Sequence, residues 1–346
     1  MDHNFNIVIY GSGAIGATLG GWLFQNGQNV YLLARGENAK ALKSNGLIIY
    51  EKAHENLETI SMNVIEDLKE LNKVDLVILA VKNYDLDAAA EDIYKKVDDQ
   101  AIILALQNGV ENLTILPNYF SKVVYGVIVM SAWRDKPGVF GNRGKNQVVI
   151  GTPDNQNQEL IKMIYTILNP SFPIEITSKY MDAAYSKLVL NIANSIFTLI
   201  KQNTDDDDYI YKLLKIFANT YLEAVKIVKA AGYKEYKLKG LPSWRTIKIL
   251  KKLGKKIALK SFKKNLRFSW LNSMAQDKVL RQKDKTELET LNGHLLELAH
   301  QSGLKVPFNE VIYRLCKETF SNVPYKPLHV NRVWSEIERE LAERTY

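Results

Sequence analysis

Six residues near the start of the chain have the types and spacing needed to hold a phosphate group. Glycine recurs there as G-x-G-x-x-G, in the run Gly11-Ser12-Gly13-Ala14-Ile15-Gly16. The first glycine permits a tight turn, the second lets the backbone approach a pyrophosphate, and the third lets a helix pack closely on a sheet. Free N–H groups at the helix N-terminus then favour negative charge. The motif predicts a dinucleotide-binding turn; the alternative is a glycine-rich turn without a ligand.

The elements around this motif favour the dinucleotide interpretation. A β-branched apolar strand, 6–10, precedes it, and a helix-forming stretch, 17–25, and a second strand, 29–34, follow. Units that prefer NAD usually carry an acidic residue about 20 positions after the glycines. Here the strand ends in Arg35, whose permanently charged, planar fork suits a 2′-phosphate. We therefore expect NADPH, although the neighbouring Glu37 is a residue that would favour NADH.

A second candidate for chemistry is Lys187. Lys187, Asn191, and Asn194 or Ser195 recur at helical spacing and share one face, and the residues around them are apolar. A lysine beside a bound nicotinamide can protonate the oxygen of a carbonyl that receives hydride, and its charge stabilises the developing alkoxide. The alternative is a lysine at a helix edge, with asparagines that tie helices together.

A third candidate, Glu287, lies at the start of a predicted helix. Thr286 is placed to cap that helix with Glu289 at the third helical position, which is a capping-box arrangement. Glu287 is then either a first-turn partner of the helix dipole or a carboxylate that faces a substrate. The residues alone do not choose between these two roles.

The composition is that of an ordinary globular protein. At 346 residues, with 46% hydrophobic and 24% charged residues, the chain predicts two domains. Cys316 is the single cysteine, so no intramolecular disulfide can form and a reducing cytoplasm is the expected compartment. We expect no signal peptide, because the first residues lack a basic region followed by an apolar stretch. We expect no membrane span, because no apolar run approaches ~20 residues. The net charge of +8 suits an anionic cofactor and substrate, and it leaves nucleic acid or a membrane surface open.

Strand and helix patterns alternate as far as about residue 165. Beyond the first two strands, the predicted strands are 47–50, 74–81, 101–106, 123–130 and 147–150, with helices at 39–44 and 86–94. This alternation predicts an α/β fold with an N-terminal Rossmann-type doubly wound parallel sheet. Ligands of such sheets bind beyond the carboxyl ends of the strands, where Lys82, Asn108 and the glycine turn lie.

The pattern changes near two prolines in the run Asn169-Pro170-Ser171-Phe172-Pro173, which we interpret as an interdomain linker. Beyond it strand signals almost vanish, and helical patterns follow at 181–200, 210–231, 287–303, 311–320 and 330–342. We therefore predict a Rossmann domain at 1–168 and an all-helical substrate-binding domain at 176–346.

Two charged stretches interrupt the helical half. The acidic run 205–208 predicts a helix N-terminus, with a metal site as the alternative. Residues 234–268 hold many lysines and one acid, Glu235, and their apolar residues at helical spacing predict a basic amphipathic helix; those residues are Leu250, Leu253, Ile257 and Phe262. We favour a solvated face over a surface for nucleic acid, anionic lipid or another polyanion.

Taken together, these motifs resemble the ketopantoate reductase (2-dehydropantoate 2-reductase) family. The matching pieces occur in the right order over residues 5 to 320: the glycine run, Arg35-Gly36, Ala80-Val81-Lys82, Gln107-Asn108-Gly109-Val110, Lys187 with Asn191, Ser273-Met274 with Gln276-Asp277, and Thr286-Glu287 with Leu291-Asn292-Gly293. The set is far more specific than any one of its members. The family's fold is a Rossmann domain followed by a helical domain, with the active site in the cleft between them.

The resemblance implies a reaction and roles for named residues. The reaction is the NADPH-dependent reduction of 2-dehydropantoate, a small anionic 2-oxo acid, to pantoate in pantothenate biosynthesis. Lys187 matches the general acid toward the C2 oxygen, and Glu287 matches the carboxylate that engages the substrate hydroxyl. The other matches are Ser273 at the substrate carboxylate, Asn108 and Asn191 in the cleft, and Arg35 and Lys82 near the phosphates and adenosine end. No metal is implied, and the oligomeric state stays open, with a homodimer among the options.

Several departures from the family pattern fall in the substrate half. Family members usually have asparagine where Ser195 stands, although we keep Ser195 among the predicted substrate-binding residues. Asp284-Lys285 replaces the usual Gly-Arg, the segment 234–268 looks like an insertion, and the tail from Tyr325 extends beyond many relatives. The alternatives are therefore another small 2-oxo acid, or a non-catalytic NADPH-binding protein with a basic interaction surface.

Overall fold

The chain forms two compact units in a computed structural model that describes residues 5–51, 57, 59–97, 100–203, 205–252, 255–260, 263 and 272–344. The first unit comprises Met1–Ala184 with Leu238–Gly240, and the second comprises Tyr185–Lys237 with Leu241–Tyr346. No helix among the described residues is both long and apolar enough to cross a membrane.

The first unit is built on a large, mainly parallel sheet. Eight strands in the described part of the chain form it, in the order β5-β2-β1-β6-β7-β8-β11-β12. These strands are β1 (Ile7–Tyr10), β2 (Val30–Leu33), β5 (Asn63–Ile65), β6 (Leu76–Leu79), β7 (Ile102–Ala105), β8 (Val123–Ile128), β11 (Val148–Gly151) and β12 (Ile174–Ile176). Only the β8–β11 pair is antiparallel among them. The order reverses at β1, so the crevice for a ligand lies beyond the ends of β1 and β6.

Helices connect these strands, and the central strands are buried on both faces. The helices are α1 (Ala14–Gln25), α2 (Gly36–Asn45), α3 (Leu86–Lys96), α4 (Asn112–Ile115) and α5 (Gln158–Leu168). Every residue of β1, β6 and β7 is buried, because continuous apolar runs suit strands covered on both sides. The predicted doubly wound sheet is confirmed.

A small second sheet covers α1 and was not predicted as a sheet. Its order is β4-β3-β10-β9, with β3 (Leu47–Tyr50), β4 (Thr59–Ile60), β9 (Ala132–Lys136) and β10 (Val139–Asn142). A Cβ on Gly21 of α1 would lie 2.9 Å from Leu47 of this sheet, so the helix and sheet pack too closely for a larger residue. Of its strands, the sequence indicated β3 alone.

The residues directly after the predicted linker, 169–173, belong to the large sheet. Residues 174–176 form β12, which pairs in parallel with β11 and extends the large sheet. Asn169 fastens the turn before it, because its side chain accepts a hydrogen bond from the N–H of Ile174 at 3.0 Å. The segment is part of the sheet because its backbone groups pair with β11 instead of with water.

The second unit is helical, as predicted. Its helices are α6 (Tyr180–Asn191, which begins in the first unit), α7 (Ala193–Leu199), α8 (Asp207–Ala230), α9 (Trp244–Lys252), α10 (Ser273–Ala275), α11 (His294–Gln301), α12 (Pro307–Phe320) and α13 (Val330–Glu343). The predicted single helix at 181–200 is in fact two, α6 and α7, which meet at Ile192. The Ser195 hydroxyl donates to the Ile192 carbonyl at 2.7 Å and thereby holds the junction.

The acidic run begins α8, as predicted. The Asp206 side chain caps the helix by accepting from the N–H groups of Asp208 and Tyr209 at 2.8 and 3.1 Å. Asp207 and Asp208 pair with Lys263 and Lys255. These carboxylates therefore hold the basic segment, and among the described residues no group of three potential ligands could bind a metal.

The basic segment is helical at 244–252 and 255–260, whereas residues 234–243 are turn and coil, and one residue of its predicted apolar face, Ile257, is exposed. Ile257 is 62% exposed, whereas Trp244, Ile247, Ala258 and Leu259 are buried. The side chains that pack inward are therefore other apolar residues of the segment than Ile257. Leu253 and Phe262 lie outside the described residues.

The tail after Tyr325 is fastened to α7. The Leu328 N–H donates to the Leu199 carbonyl at 2.7 Å, and the Lys201 N–H donates to the Leu328 carbonyl at 2.8 Å. The Tyr325 hydroxyl donates to the Thr198 carbonyl at 2.6 Å. Helix α13 follows and buries Val330, Val333 and Ile337. The extension is an integral part of the helical unit.

Candidate active site

The glycine turn has the steric pattern that a dinucleotide site requires. Gly11 has a φ of +110°, and a Cβ there would lie 2.9 Å from backbone atoms of both Ala80 and Val81. A Cβ on Gly16 would lie 2.1 Å from the Gly11 carbonyl oxygen. Around Gly13, by contrast, nothing lies within 4 Å of the Cβ position. Gly11 and Gly16 therefore close the turn, and Gly13 leaves the open space that a pyrophosphate needs.

The turn leads directly into α1, whose N-cap is Gly13. No side chain in the described structure caps this helix end, so its first N–H groups remain for an anion. Ala14 and Ile15 form the first turn and are half-buried. The predicted phosphate-binding residues thus lie together at one helix N-terminus.

Asn38, which the sequence analysis did not identify, holds the glycine turn in place. Its amide nitrogen donates to the Ser12 carbonyl at 2.9 Å and to the Ser12 hydroxyl at 3.0 Å. Its amide oxygen accepts from the Gly138 N–H at 3.1 Å. Both residues are buried, so the Ser12 hydroxyl serves the turn itself. Asn38 belongs to a mostly polar helix segment, so its burial cannot be recognised from the sequence alone.

Arg35 lies just past the end of β2 and is largely exposed. Its Nη2 atom donates to the Tyr10 hydroxyl at 3.1 Å and pairs with Asp92 at 3.3 Å. The guanidinium carbon lies 5.9 Å from the centre of the Tyr10 ring. Glu37 is exposed in the first turn of α2. The predicted arginine therefore lies at the expected strand end, held by two residues that the sequence did not indicate.

Two amide side chains tie together the strand ends that carry Lys82 and Asn108. Asn83 donates to the Asn108 carbonyl at 2.6 Å. Gln107 donates to the Leu79 carbonyl at 2.9 Å and to the Val81 carbonyl at 3.4 Å. The loops after β6 and β7 are thereby fixed beside the glycine turn, as ligand-binding loops of a doubly wound sheet require.

Lys187 lies on α6 in an environment that disfavours its charge. It is half-buried, and no described residue forms a hydrogen bond or ion pair with its ammonium group. Burial alone lowers the pKa of Lys187 from 10.5 to about 8. Asn191, one helical turn further on, is 6% exposed. An unpaired lysine with a pKa lowered by burial is characteristic of a functional site.

Ser195 lies in a different environment from the one predicted. It is fully buried, its hydroxyl donates to the Ile192 carbonyl, and it accepts a hydrogen bond from Asn292 at 3.0 Å. Its hydroxyl is therefore occupied by the protein, which favours a structural role over the predicted contact with substrate.

Ser273 begins α10, a single turn that precedes a π-helical turn, Gln276–Leu280. Asn272 caps the helix by accepting from the Ala275 N–H at 2.9 Å. Asp277 is buried and pairs with Arg281 at 2.9 Å. The half-buried Ser273 is thus placed by its cap and by the anchored turn behind it.

Glu287 is 4% exposed at the start of a second π-helical turn, Glu289–Gly293. The Thr286 hydroxyl accepts from the Leu288 N–H at 3.3 Å, as a cap does, but Glu289 pairs with Lys317 instead of completing the predicted capping box. Single π-helical turns inside helices occur frequently at functional sites. Here the two π turns directly follow the segments that hold Ser273 and Glu287, a feature that sequence periodicity did not show.

Aromatic contacts connect α6 to the helix that follows this second π turn. Tyr185 stacks on Tyr233, with ring centres 3.9 Å apart, and its hydroxyl lies 3.2 Å from Nε2 of His294. Burial lowers the pKa of His294, so it is neutral under ordinary conditions. The helix that carries Lys187 is therefore held against the segment that follows Glu287.

Models of a known protein family match both parts of the chain. A family model for ketopantoate reductase PanE/ApbA matches residues 7–155, and a model for the C-terminal part of ketopantoate reductase PanE/ApbA matches residues 179–319. The chain belongs to the ketopantoate reductase family. It is therefore an oxidoreductase acting on CH–OH groups, and the family depends on a pyridine nucleotide. The resemblance noted from the motifs is confirmed.

Individual relatives agree with this assignment. The 2-dehydropantoate 2-reductase of Pyrococcus horikoshii is 28% identical over 316 residues, which are 90% of this chain and 96% of that protein. D-mandelate dehydrogenase, solved with NADH and anilino(oxo)acetate, has a TM-score of 0.73 at 19% identity, covering 91% of this chain and 98% of that one. A dimeric ketopantoate reductase from Staphylococcus aureus has a TM-score of 0.70 at 20% identity, covering 92% and 99%. The two structures establish the shared fold.

The predicted ketopantoate reductase site residues therefore fall into two groups, one in each unit. The glycine turn, Arg35, Lys82 and Asn108 belong to the first unit, and Lys187, Asn191, Ser273 and Glu287 belong to the second. The predicted cleft between the domains stays a prediction, as do the individual roles of these residues.

Proposed function

We propose that this chain reduces 2-dehydropantoate to pantoate with NADPH, and that Lys187 gives the proton to the C2 oxygen. The family assignment and the curated 2-dehydropantoate 2-reductase relatives support the reaction. The environment of Lys187 is the observation that carries the mechanism.

The charge on Lys187 is useful because it is neither paired nor freely hydrated. A carbonyl that receives hydride develops negative charge on its oxygen, and an ammonium within reach stabilises that charge and transfers its proton. With a pKa of about 8, Lys187 is mostly protonated at neutral pH and gives up its proton more readily than an exposed lysine. A structural lysine would instead pair with a carboxylate, as Lys96 does with Asp92 at 2.8 Å.

The first unit fits a dinucleotide. The open side of Gly13 and the uncapped end of α1 would receive the pyrophosphate, while Arg35 would meet the 2′-phosphate and Lys82 and Asn108 would lie along the strand ends. NADPH, when bound, supplies the hydride for C2 of the substrate.

The remaining residues of the second unit would orient the substrate. Ser273 would hold the substrate carboxylate, and Asn191 and the buried Glu287 would hold its oxygen atoms. Alignment of the carbonyl is itself a large part of the rate enhancement.

The experiment is NADPH oxidation by the purified protein with a panel of 2-oxo acids: 2-dehydropantoate, 2-oxoisovalerate, pyruvate and phenylglyoxylate. We expect the highest kcat/KM for 2-dehydropantoate, and higher values with NADPH than with NADH. A higher kcat/KM for another acid would make that acid the substrate. Binding of NADPH without oxidation by any acid would make the protein a non-catalytic NADPH-binding protein.

A Glu287→Ala variant separates the two groups of residues. We expect it to raise the KM for the 2-oxo acid and lower kcat while leaving the NADPH dissociation constant unchanged. Unchanged kcat and KM values would contradict contact between Glu287 and the substrate.

A further inference from the structure

Arg35 is one member of a chain of charged and phenolic groups at the end of β1 and β2. Tyr10, the last residue of β1, donates its hydroxyl proton to Asp92 of α3 at 2.6 Å. The same hydroxyl oxygen accepts from Nη2 of Arg35, which also pairs with Asp92. Tyr10 is 4% exposed, so the tyrosine and the carboxylate form a fixed platform under an exposed arginine.

The proton position in this platform is well defined. Burial, and then the hydrogen bond to Asp92, raises the pKa of Tyr10 to about 12, so the phenol stays protonated. Its single proton goes to Asp92, and its lone pairs are therefore left to receive Arg35. This directionality fixes one edge of the guanidinium.

The charge of Asp92 is balanced from the opposite side. Lys96 pairs with Asp92 at 2.8 Å and with Asp67 at 2.8 Å, and Asp67 in turn caps the short turn Leu68–Glu70. The hydrogen bond from Lys96 contributes to lowering the pKa of Asp92, so the carboxylate is ionised at neutral pH. Asp92 therefore holds Arg35 without presenting an uncompensated negative charge to an incoming phosphate.

The rest of the guanidinium is available to a ligand. Both contacts use Nη2, and no described residue contacts Nε or Nη1 through a hydrogen bond or ion pair. Arginine has five N–H donors in a planar fork, and the three on Nε and Nη1 remain to donate hydrogen bonds to phosphate oxygens.

We infer that Tyr10 and Asp92 are positioning residues for cofactor selectivity, which hold Arg35 by Nη2 so that its remaining N–H groups donate to the 2′-phosphate of the dinucleotide. The inference rests on the NADPH preference proposed above and adds the residues that produce it. A long side chain that is already ordered loses less freedom on binding, so the 2′-phosphate gains affinity. The alternative is that Asp92 competes with the phosphate for Arg35, which predicts the opposite effect of its removal.

Adenosine 2′,5′-bisphosphate and 5′-AMP are the probes, because they differ only in the 2′-phosphate. Their dissociation constants are measured by calorimetry for the wild type and for Tyr10→Phe, Asp92→Asn, Arg35→Gln and Tyr31→Phe. Tyr31, half-buried in β2, is the matched control for loss of a hydroxyl.

For Tyr10→Phe and Asp92→Asn we expect bisphosphate affinity to fall roughly threefold to tenfold, the size expected when one long side chain must be ordered on binding. The 5′-AMP affinity should stay within about twofold, which a general loss of structure would not allow, and Asp92→Glu should recover part of the loss. Arg35→Gln should remove the difference between the probes, and Tyr31→Phe should leave it unchanged. At saturating NADPH, kcat should equal that of the wild type in both positioning variants.

Two results overturn the inference and are distinguishable. A wild type that binds both probes equally refutes the NADPH preference and the inference together. A wild type that prefers the bisphosphate, with the preference unchanged or increased in Tyr10→Phe and Asp92→Asn, refutes the inference alone.

Discussion

The glycine turn and the Lys187 helix solve opposite physical problems. At the turn, steric contacts define each glycine, and Asn38 pairs with the surrounding backbone and with the Ser12 hydroxyl. On α6, a lysine is half-buried with no partner among the described residues, and burial lowers its pKa. The first region is sterically fixed by the protein and leaves only solvated backbone N–H groups for a ligand, whereas the second keeps a buried charge, which destabilises the fold.

Under the proposed mechanism, the residues that stabilise the fold differ from those that carry out the chemistry. A binding surface made of backbone N–H groups can be rigid and stable without its ligand, because helix ends meet water readily. A proton donor must remain unpaired to act, so its environment is less stable than a paired one would be. The largest functional losses should therefore come from residues whose removal does not weaken the fold.

Replacement of Lys187 by methionine is expected to have the largest effect. The isosteric apolar side chain removes the proton donor, so turnover should fall by ~10²–10⁴-fold, which is typical of general acid catalysis. NADPH affinity should not change, because the dinucleotide contacts belong to the first unit. Steady-state kinetics and calorimetry measure the two quantities. Lys226→Met, at an exposed lysine of α8, is the control. Wild-type turnover in Lys187→Met would contradict proton donation by Lys187.

Substitutions at two glycines of the turn should affect folding stability and NADPH binding separately. Gly16→Ala places a methyl group against the Gly11 carbonyl and should cost about 1–3 kcal/mol of folding free energy, as overpacked sites do. Gly13→Val meets open space, so its unfolding midpoint should match the wild type, while NADPH affinity should fall at least about tenfold, or ~1.4 kcal/mol. Denaturant unfolding and calorimetry distinguish the two. Equal loss of stability in both variants would contradict this division.

The pH dependence of the unfolding free energy should show how much the buried charge of Lys187 destabilises the fold. Its pKa is about 8 in the folded protein and 10.5 when the side chain is free. Between those pH values the unfolded chain binds more protons than the folded protein, so stability rises with pH. The loss of folding free energy caused by burying the charged lysine is therefore fully present below pH 8 and vanishes as pH rises towards 10.5. Lys187→Met should therefore be more stable than the wild type at pH 7, by a margin that shrinks at pH 10. Urea unfolding at both pH values measures it, and a constant margin would contradict the lowered pKa.

The smallest effect is expected in the tail. Tyr325→Phe removes the hydrogen bond to the Thr198 carbonyl and should cost about 1 kcal/mol, the net value of one buried hydrogen bond. Tyr94→Phe, at a 57% exposed tyrosine of the first unit, should change nothing. Equal unfolding free energies for the two variants would mean that the tail contact contributes no stability.

The sequence predicted the large sheet well because its signals are local. Continuous apolar runs such as 74–81 indicate buried parallel strands, and the glycine spacing depends on contacts within one turn. The hairpin of β9 and β10 escaped prediction because β10 pairs with β3, far away in sequence, and because β9 is an edge strand without a buried apolar run. The break at Ile192 escaped because both sides of it are helical and apolar.

The site was predicted in part for the same reason. Lys187 and Glu287 were identified by residue type and by resemblance, and the structure adds their burial. Asn38, Tyr10 and Asp92 could not be predicted, because each acts through a partner more than twenty residues away in the chain. The hydrogen bonds of Ser195 within the protein could not be predicted either, because helical spacing gives the face of a residue without showing which neighbours it contacts.

The attachment of the tail to α7 also sets an order for synthesis. Tyr325 reaches back 127 residues to Thr198, and α13 completes the packing of the helical unit. All the strands of the large sheet, by contrast, have been translated by Ile176. Domains generally fold as units during synthesis, with N-terminal ones first. A nascent chain therefore passes through a period in which the sheet of the first unit is fully translated while the helix that carries Lys187 still lacks the C-terminal part of its own unit.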